Sequence, residues 1–150
     1  MTAYVIDASI AVKWVVEETG TANALVLRQA GRIIAPELLL AECANILWKK
    51  VRRRELTKEE AILAARLLQG ADMEIVSTRS LAERATSIAI ELDHPAYDCV
   101  YIALAAATDC RFVTADDRLL RKLRQGRRSQ WRDRVISLAE AAALSSRAHP

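Results

Sequence analysis

One stretch of this sequence would be apolar on nearly every side of a helix. It runs from Tyr97 to Ala107, and Asp98 is its only charged residue. A helix that is apolar all round belongs in a protein core. A carboxylate in such surroundings is costly unless it is paired with a cation, hydrogen-bonded or bound to a metal ion. The rest of the fold must therefore provide a partner for Asp98.

The composition fits one domain. The chain has 150 residues, 52% of them hydrophobic, which is enough for a single core. We predict one domain over residues 1–150, with a flexible tail from about 145 to 150. No apolar run reaches the roughly 18 residues of a membrane span. The N-terminus is interrupted by Asp7 and Lys13 and has no cationic start, unlike a signal peptide. We therefore expect a cytoplasmic protein without membrane contact.

The alternation of short strands and helices predicts the fold class. Apolar runs predict strands at residues 4–6, 32–35, 73–77 and 111–114, with a short last strand at 134–137. The first helix is expected from Ser9 to about Glu18, and capping boxes at 57–60 and 80–83 open two later helices. The pattern indicates an α/β domain with a mainly parallel central sheet of four to five short strands flanked by helices.

The sequence offers few ligands for zinc. Cys43, Cys99 and Cys110 form no Cys-x-x-Cys pair, and each lies in or beside an apolar run, which predicts buried free thiols. Of the two histidines, His149 lies in the terminal tail and His94 adjoins Pro95. A histidine-based zinc site or a Ser-His-Asp triad is therefore disfavoured.

Acidic residues follow two of the predicted strands. Asp7 comes directly after the first strand, and Asp116, with Asp117, directly follows the strand at 111–114. Both positions belong at the carboxyl edge of a parallel sheet, where ligands bind in such folds. Glu42 lies among apolar residues at three- and four-residue spacing and is expected to face inward. Asn45 shares that face and is a candidate hydrogen-bonding support.

Each acid also has a simpler structural interpretation, except one. Asp7 and Asp116 are well placed to cap the helices that follow them. Asp98 lies in the first turn of its own helix, where a negative charge interacts favourably with the helix dipole. Glu42 lies roughly two turns into its helix, too far from the N-terminus to cap it. Four carboxylates brought together repel one another unless cations offset them. Ligation by oxygen alone selects Mg²⁺ or Mn²⁺, and such sites serve phosphoryl chemistry.

Four segments resemble the motifs of PIN-domain ribonucleases, most closely the VapC-type toxins of bacterial toxin–antitoxin pairs. The segments are Val5-Ile6-Asp7-Ala8-Ser9, the stretch from Pro36 to Asn45, the stretch from Ala96 to Ala105, and Phe112-Val113-Thr114-Ala115-Asp116. Their order and spacing are similar to the family over nearly the whole chain. The resemblance implies an acidic metal site formed by Asp7, Glu42, Asp98 and Asp116, with Ser9 and Thr114 beside it as polar support.

The resemblance also implies an activity and partners. It implies cleavage of RNA phosphodiester bonds with Mg²⁺ or Mn²⁺, leaving a 5′-phosphate and a 3′-hydroxyl. It further implies a homodimer and a small cognate antitoxin whose tail crosses the active-site groove. We expect Asp7 and Asp98 to hold the principal ion, with Glu42 and Asp116 completing its surroundings directly or through water. Asp117 is an alternative ligand, but Asp116 matches the Thr-x-Asp pattern.

Basic residues are concentrated at positions 49–54 and 118–134. The net charge of +3 is too small to indicate a nucleic-acid partner by itself. The second cluster could contact RNA phosphates, or it could be a solvated helix face. Its candidate RNA-binding residues are Arg121, Lys122, Arg124, Arg127 and Arg128.

Two other function classes stay open at this point. One is a non-catalytic interaction protein whose acidic pocket binds a basic partner segment. The other is a phosphatase or receiver domain. That class is weaker because the residue two after Asp7 is Ser9 rather than Asp, and no Gly-rich phosphate loop is present.

Overall fold

The computed structural model describes residues 2–126 and 129–148. Its strands are β1 (Ala3–Ile6), β2 (Arg32–Pro36), β3 (Glu74–Val76), β4 (Arg111–Thr114) and β5 (Val135–Ser137). Its helices are α1 (Ala8–Ala11), α2 (Thr21–Ala30), α3 (Leu38–Arg52), α4 (Lys58–Gln69), α5 (Ala82–Leu92), α6 (Ala96–Ala107), α7 (Asp117–Gln125) and α8 (Leu138–Ala148). Each predicted strand is present within one residue of its expected bounds.

The five strands form one sheet in the order β3-β2-β1-β4-β5. Every neighbouring pair is parallel, which confirms the predicted α/β class. Because the strands are parallel, their carboxyl ends lie at one edge of the sheet. The chain order reverses beside β1, where β2 lies on one side and β4 on the other. Such a reversal leaves a crevice at the carboxyl edge, which is the usual ligand site of this architecture.

The central strands are apolar because both of their faces are covered. Val5 and Ile6 of β1 and Phe112 and Val113 of β4 are fully buried. Parallel strands covered by helices on both sides carry continuous apolar runs rather than alternating ones. Asp7 and Thr114 are the buried polar residues at the ends of these two strands.

Helix α6 lies in the core, as its sequence predicts. Seven consecutive residues, from Cys99 to Ala105, are buried. The helix packs against α5 on one side and against β1, β2 and β4 on the other. The Tyr101 ring stacks on Phe112 of β4, with ring centroids 5.2 Å apart. This packing fixes the position of the first turn, which carries Asp98.

The helix after β1 is shorter than predicted. The predicted helix from Ser9 to about Glu18 is wrong beyond α1, because a 3₁₀ turn at Val12–Trp14 follows and the chain then turns towards α2. The indole nitrogen of Trp14 donates a hydrogen bond to the carbonyl oxygen of Ala24, 3.0 Å away. This contact, together with the poor helix propensity of the neighbouring valines, favours the turn over a longer helix.

Only one of the two predicted capping boxes forms. Thr57 and Glu60 exchange both side-chain-to-backbone hydrogen bonds at the start of α4. The box at residues 80–83 is wrong, since a 3₁₀ turn at Thr78–Leu81 precedes α5. There the Ser80 hydroxyl donates to the Ser77 carbonyl oxygen, at 2.8 Å, and so does not cap the helix.

The last helix extends into the segment predicted to be a tail. Residues 145–148 continue α8, and the hydroxyl oxygens of Ser145 and Tyr4 lie 3.3 Å apart in the interior. Residues 145–148 of the predicted tail are therefore helical, whereas residues 149 and 150 lie outside the described residues.

Two further expectations concern the thiols and the membrane. All three cysteines are buried and free, as predicted. In the described part of the chain, no helix combines the length and the apolar character needed to cross a bilayer.

Candidate active site

Asp7 lies at the carboxyl end of β1 and is almost completely buried. One of its carboxylate oxygens accepts the backbone N–H of Ile10, at 3.3 Å, and so caps α1. The Ser9 hydroxyl donates to the same oxygen, and the Thr114 hydroxyl donates to the other oxygen at 2.5 Å. The capping role and the proposed site role of Asp7 are therefore compatible.

Ser9 and Thr114 connect the ends of β1 and β4. The Ser9 hydroxyl oxygen accepts the backbone N–H of Ala115 at 3.2 Å, and the Thr114 hydroxyl oxygen accepts that of Asp116 at 3.0 Å. Each hydroxyl thus donates to Asp7 and accepts from the chain beyond β4. The two residues that the family resemblance singled out as polar support lie in contact with Asp7.

Glu42 lies on α3 and is partly buried. Its carboxylate accepts a hydrogen bond from the hydroxyl of Tyr101, which is fully buried in α6. Tyr101 was not among the predicted site residues. The two residues are 59 positions apart, so only the packing of α6 reveals their contact.

The partner of Asp98 is His94, which was not among the predicted site residues. Nε2 of His94 lies 2.6 Å from Oδ2 of Asp98. The Asp98 side chain is 27% exposed and the His94 side chain 10% exposed, so this carboxylate lies at the rim of the core rather than inside it. The four-residue spacing across the start of α6 was the available signal, but a single histidine beside a proline forms no recognisable motif.

The Asp7, Glu42 and Asp98 carboxylates, which we call the carboxylate cluster, influence one another electrostatically. Burial raises the pKa of Asp7 to about 6, and the negative charge of Asp98 adds to this effect against the hydrogen bonds from Ser9 and Thr114. Burial and the charge of Asp98 likewise raise the pKa of Glu42, against the hydrogen bond from Tyr101. The cluster therefore carries negative charge at a cost in free energy.

The nearby thiols stay protonated. Burial raises the pKa of Cys43 to about 12, with smaller contributions from the charges of Glu42 and Asp7. Burial and the charge of Asp98 raise the pKa of Cys99 to about 11. Since only a thiolate binds metal well, the potential ligands at this edge of the sheet are oxygen atoms.

Comparison with known proteins agrees with this geometry. A family model described as the PIN domain matches residues 4–125. The chain belongs to the PIN-domain family. It is 30% identical over 124 residues to the ribonuclease VapC3 of Pyrobaculum aerophilum, a match that covers 79% of this chain and 92% of that relative. The predicted resemblance to VapC-type PIN domains is thereby confirmed.

Two solved structures share the fold of this PIN domain. PAE2754 from Pyrobaculum aerophilum is similar with a TM-score of 0.72 and 18% identity, covering 97% of this chain and 90% of its own. VapC20 from Mycobacterium tuberculosis, described as a toxin that cleaves the sarcin–ricin loop, is similar with a TM-score of 0.58 and 14% identity. That match covers 74% of this chain and 86% of VapC20.

The other predicted site residues lie outside the carboxylate cluster. Asp116 caps α7, since one of its carboxylate oxygens accepts the backbone N–H of Arg118 at 2.9 Å. Asp117 and Asn45 are exposed. Of the three, only Asp116 is tied to the site of this PIN domain, through its backbone bond to Thr114.

The donor chemistry of the cluster suits a hard divalent cation, but its side chains are held apart. Among residues 2–126 and 129–148, no three His, Cys, Asp or Glu side chains lie close enough together to hold a metal ion. Glu42 is directed to Tyr101 and Asp98 to His94. The donor chemistry of these residues therefore fits a divalent cation, although no closed set of ligands is in place among the described residues.

The predicted basic residues contact several different groups. Nε of Arg121 donates to the Asp117 carbonyl oxygen at 3.3 Å, and Arg124 pairs with Glu140 at 2.5 Å. The amino group of Lys122 donates to the carbonyl oxygen of Asp93. All three basic residues are exposed on α7, whereas positions 127 and 128 lie outside the described residues.

Proposed function

We propose that this PIN domain is a ribonuclease that hydrolyses RNA phosphodiester bonds with the help of Mg²⁺ or Mn²⁺. The observation that carries the proposal is the carboxylate cluster, in which three acids from β1, α3 and α6 influence one another at the carboxyl edge of the sheet. Its relative VapC3 is named a ribonuclease, and the cluster gives this chain the groups that such chemistry needs.

The electrostatics of the cluster favour a bound cation. Within the described residues, no lysine or arginine forms an ion pair with Asp7, Glu42 or Asp98, and the pKa of Asp7 is raised to about 6. A divalent cation would offset this concentration of negative charge. We propose that Asp7 and Asp98 hold the ion and that Glu42 and Asp116 complete its surroundings.

The residues of this chain would prepare the site in two ways. Ser9 and Thr114 hold both oxygens of Asp7, so that a single orientation of the carboxylate is available. Tyr101 holds Glu42 in the same manner. A bound Mg²⁺ or Mn²⁺ supplies an activated water and positive charge for the reacting phosphate. The proposed products are a 5′-phosphate and a 3′-hydroxyl.

Exposed basic side chains on α7 would contact the RNA backbone. The helix begins at Asp117, immediately after Asp116, so its first turns lie next to the site. Arg121 and Arg124 have exposed side chains. Positive charges beside an acidic centre would bind the phosphates that flank the cleaved bond, and would do so in a salt-dependent way.

The proposed biological setting is that of a VapC-type toxin. We propose that a small cognate antitoxin neutralises the protein by laying its tail across the active-site groove, and that the toxin is a cytoplasmic homodimer. A cationic side chain in such a tail would meet the same carboxylates that attract the metal ion.

The test compares RNA cleavage by Asp7→Asn and Asp98→Asn variants with that of the wild-type protein at saturating Mg²⁺ or Mn²⁺. Each substitution removes a negative charge from the proposed metal site, so we expect cleavage to fall by about two orders of magnitude or more. The control is Asp72→Asn, an exposed acid that precedes β3 at the opposite edge of the sheet. Wild-type rates in both folded site variants would show that the cluster is not catalytic.

A further inference from the structure

His94 lies in the short turn between α5, which ends at Leu92, and α6, which begins at Ala96. Its backbone N–H donates to the carbonyl oxygen of Ala89 at 3.1 Å, which fixes the chain at this point. Both neighbours in sequence, Asp93 and Pro95, are exposed, whereas the His94 side chain is only 10% exposed. The imidazole is therefore turned inward against the first turn of α6.

The contact between His94 and Asp98 is poorly explained by helix stability. The residues that stabilise a helix from its cap position are Ser, Thr, Asp and Asn, whose side chains accept a backbone N–H of the first turn. Here Pro95 occupies the cap position and makes no side-chain capping bond. The imidazole contacts a carboxylate of the cluster, and its role is therefore to be sought in the function of that carboxylate.

We propose that His94 is a positioning residue, which holds Oδ2 of Asp98 so that Oδ1 is available to the divalent cation. This inference rests on the proposed metal-dependent function. Nε2 of His94 donates to Oδ2 at 2.6 Å, and it carries a proton to donate in either the Nε2-protonated neutral form or the imidazolium. The role therefore depends on the hydrogen bond and not on the charge of the ring.

The three carboxylates of the cluster share this arrangement. Asp7 is held by two hydroxyls and Glu42 by the Tyr101 hydroxyl, so each acid has a donor of its own. Outer hydrogen-bond partners of this kind orient metal-binding groups, and their loss weakens metal binding by about 10- to 100-fold. His94 completes the set because without it Asp98 would be free to rotate.

Contacts from beyond the site hold the turn that carries His94. The Lys122 amino group donates to the carbonyl oxygen of Asp93, whose backbone is left-handed with φ of 50°. The Trp131 indole nitrogen donates to Glu91 at 3.1 Å. These bonds tie the end of α5 to α7 and to the segment before β5. The imidazole is thus attached to a fixed turn and can orient Asp98.

The experiment measures the affinity for Mn²⁺ by calorimetry in the full-length protein, without RNA. His94→Leu removes the donor while keeping much of the volume, and His94→Gln keeps an amide nitrogen at a similar reach. His94→Asn has the same chemistry but a shorter reach. We expect about 10- to 100-fold weaker Mn²⁺ binding for the Leu and Asn variants, and near wild-type binding for the Gln variant.

The control is Arg32→Met, which breaks the 2.5 Å ion pair with Glu74 at the opposite end of the strands and should leave Mn²⁺ affinity unchanged. Cleavage of RNA by His94→Leu should recover at high Mn²⁺ concentration, since the substitution weakens binding of the ion and leaves the carboxylates in place. If His94→Leu does not fold, the comparison of the Gln and Asn variants tests the positioning role instead, because both retain a polar side chain.

The outcomes separate this inference from the proposed function. If the wild-type protein binds no Mn²⁺, the proposed metal site is wrong and the role of His94 falls with it. If the wild-type protein binds Mn²⁺ and the Leu and Asn variants bind it equally well, only the positioning role is wrong. Weak binding by a folded His94→Gln variant would also contradict the role, because the hydrogen bond alone would then be insufficient.

Discussion

The Thr114 hydroxyl donates a 2.5 Å hydrogen bond to the Asp7 carboxylate, although the two residues lie 107 positions apart in the chain. Thr114 ends β4 and Asp7 follows β1, and these strands are direct neighbours in the sheet. The same hydroxyl oxygen accepts the backbone N–H of Asp116. One side chain thus joins the acid of one strand to the loop that follows the other.

Replacing Thr114 with valine should destabilise the protein while preserving its shape. The substitution leaves a buried carboxylate oxygen of Asp7 and the N–H of Asp116 without this partner, so we expect a loss of about 1–3 kcal/mol in the free energy of unfolding. Thr114→Ser keeps the hydroxyl and should cost only about 1 kcal/mol for the lost methyl group. Urea denaturation at pH 7.5 measures both. A Thr114→Ser variant that is less stable than Thr114→Val would contradict the role of the hydroxyl.

The raised pKa of Asp7 predicts a pH dependence of stability. The pKa is 3.8 for the ordinary carboxyl and about 6 in the folded protein. The native state therefore holds this proton more tightly than the unfolded state does. The resulting stability is fully present below pH 3.8 and is lost as the pH rises through 6, by about 3 kcal/mol in total.

Asp7→Asn removes this titration, so the variant should gain stability relative to the wild-type protein between pH 4 and pH 8. We expect the difference in unfolding free energy to change by about 3 kcal/mol over that range, measured by urea denaturation with a chelator present. Asp72→Asn, at an exposed acid, is the matched control and should show no such trend. A difference between Asp7→Asn and wild type that is constant with pH would contradict the shifted pKa.

Local sequence signals predicted much of this fold. Asp116 caps helix α7, as its position after an apolar strand predicts, and Leu119, Leu120 and Leu123 bury one face of that helix. The position of Asp7 was predictable for a related reason. An acid directly after an apolar strand of a parallel sheet must lie at the carboxyl edge.

The sequence-based predictions were incomplete or wrong where packing or competing local hydrogen bonds determine the structure. The sequence around Ser80 matches a capping box, but its hydroxyl bonds to Ser77 within a 3₁₀ turn instead. The partners Tyr101 and His94 were missed for different reasons. Tyr101 reaches Glu42 of α3 from a helix that packs against β1, β2 and β4, and His94 depends on the inward turn of a short loop. Neither contact leaves a periodic pattern in the sequence.

Removing the Tyr101 hydroxyl should affect metal binding more than folding. Tyr101→Phe keeps the ring stacked on Phe112 but removes the hydrogen bond that lowers the pKa of Glu42. The pKa of Glu42 should therefore rise further, and Mn²⁺ affinity should begin to fall at a higher pH than in the wild-type protein. The measurement is a calorimetric titration at several pH values.

Tyr4→Phe is the matched control for this prediction. It also deletes a buried hydroxyl, which lies 3.3 Å from the Ser145 hydroxyl and at the opposite end of β1 from Asp7. Both variants should lose about 1 kcal/mol of stability. Only Tyr101→Phe should change the pH dependence of Mn²⁺ binding, and an identical effect in both variants would show that Glu42 is not involved.

The basic residues of α7 should differ in what they contribute to RNA binding. Arg124 forms an exposed ion pair with Glu140, and such pairs are weak enough for the guanidinium to move to a phosphate. Arg121→Gln and Arg124→Gln should each weaken RNA binding and lower the slope of log affinity against log salt by about 0.7. Lys122 already donates to the Asp93 carbonyl oxygen, so Lys122→Gln should change metal affinity through the His94 turn more than the salt slope.

Fluorescence anisotropy with a short RNA in Ca²⁺ measures these slopes, and Arg32→Gln, at the far end of the strands, is the control. A salt slope unchanged in both Arg121→Gln and Arg124→Gln would mean that RNA approaches the carboxylate cluster from another side.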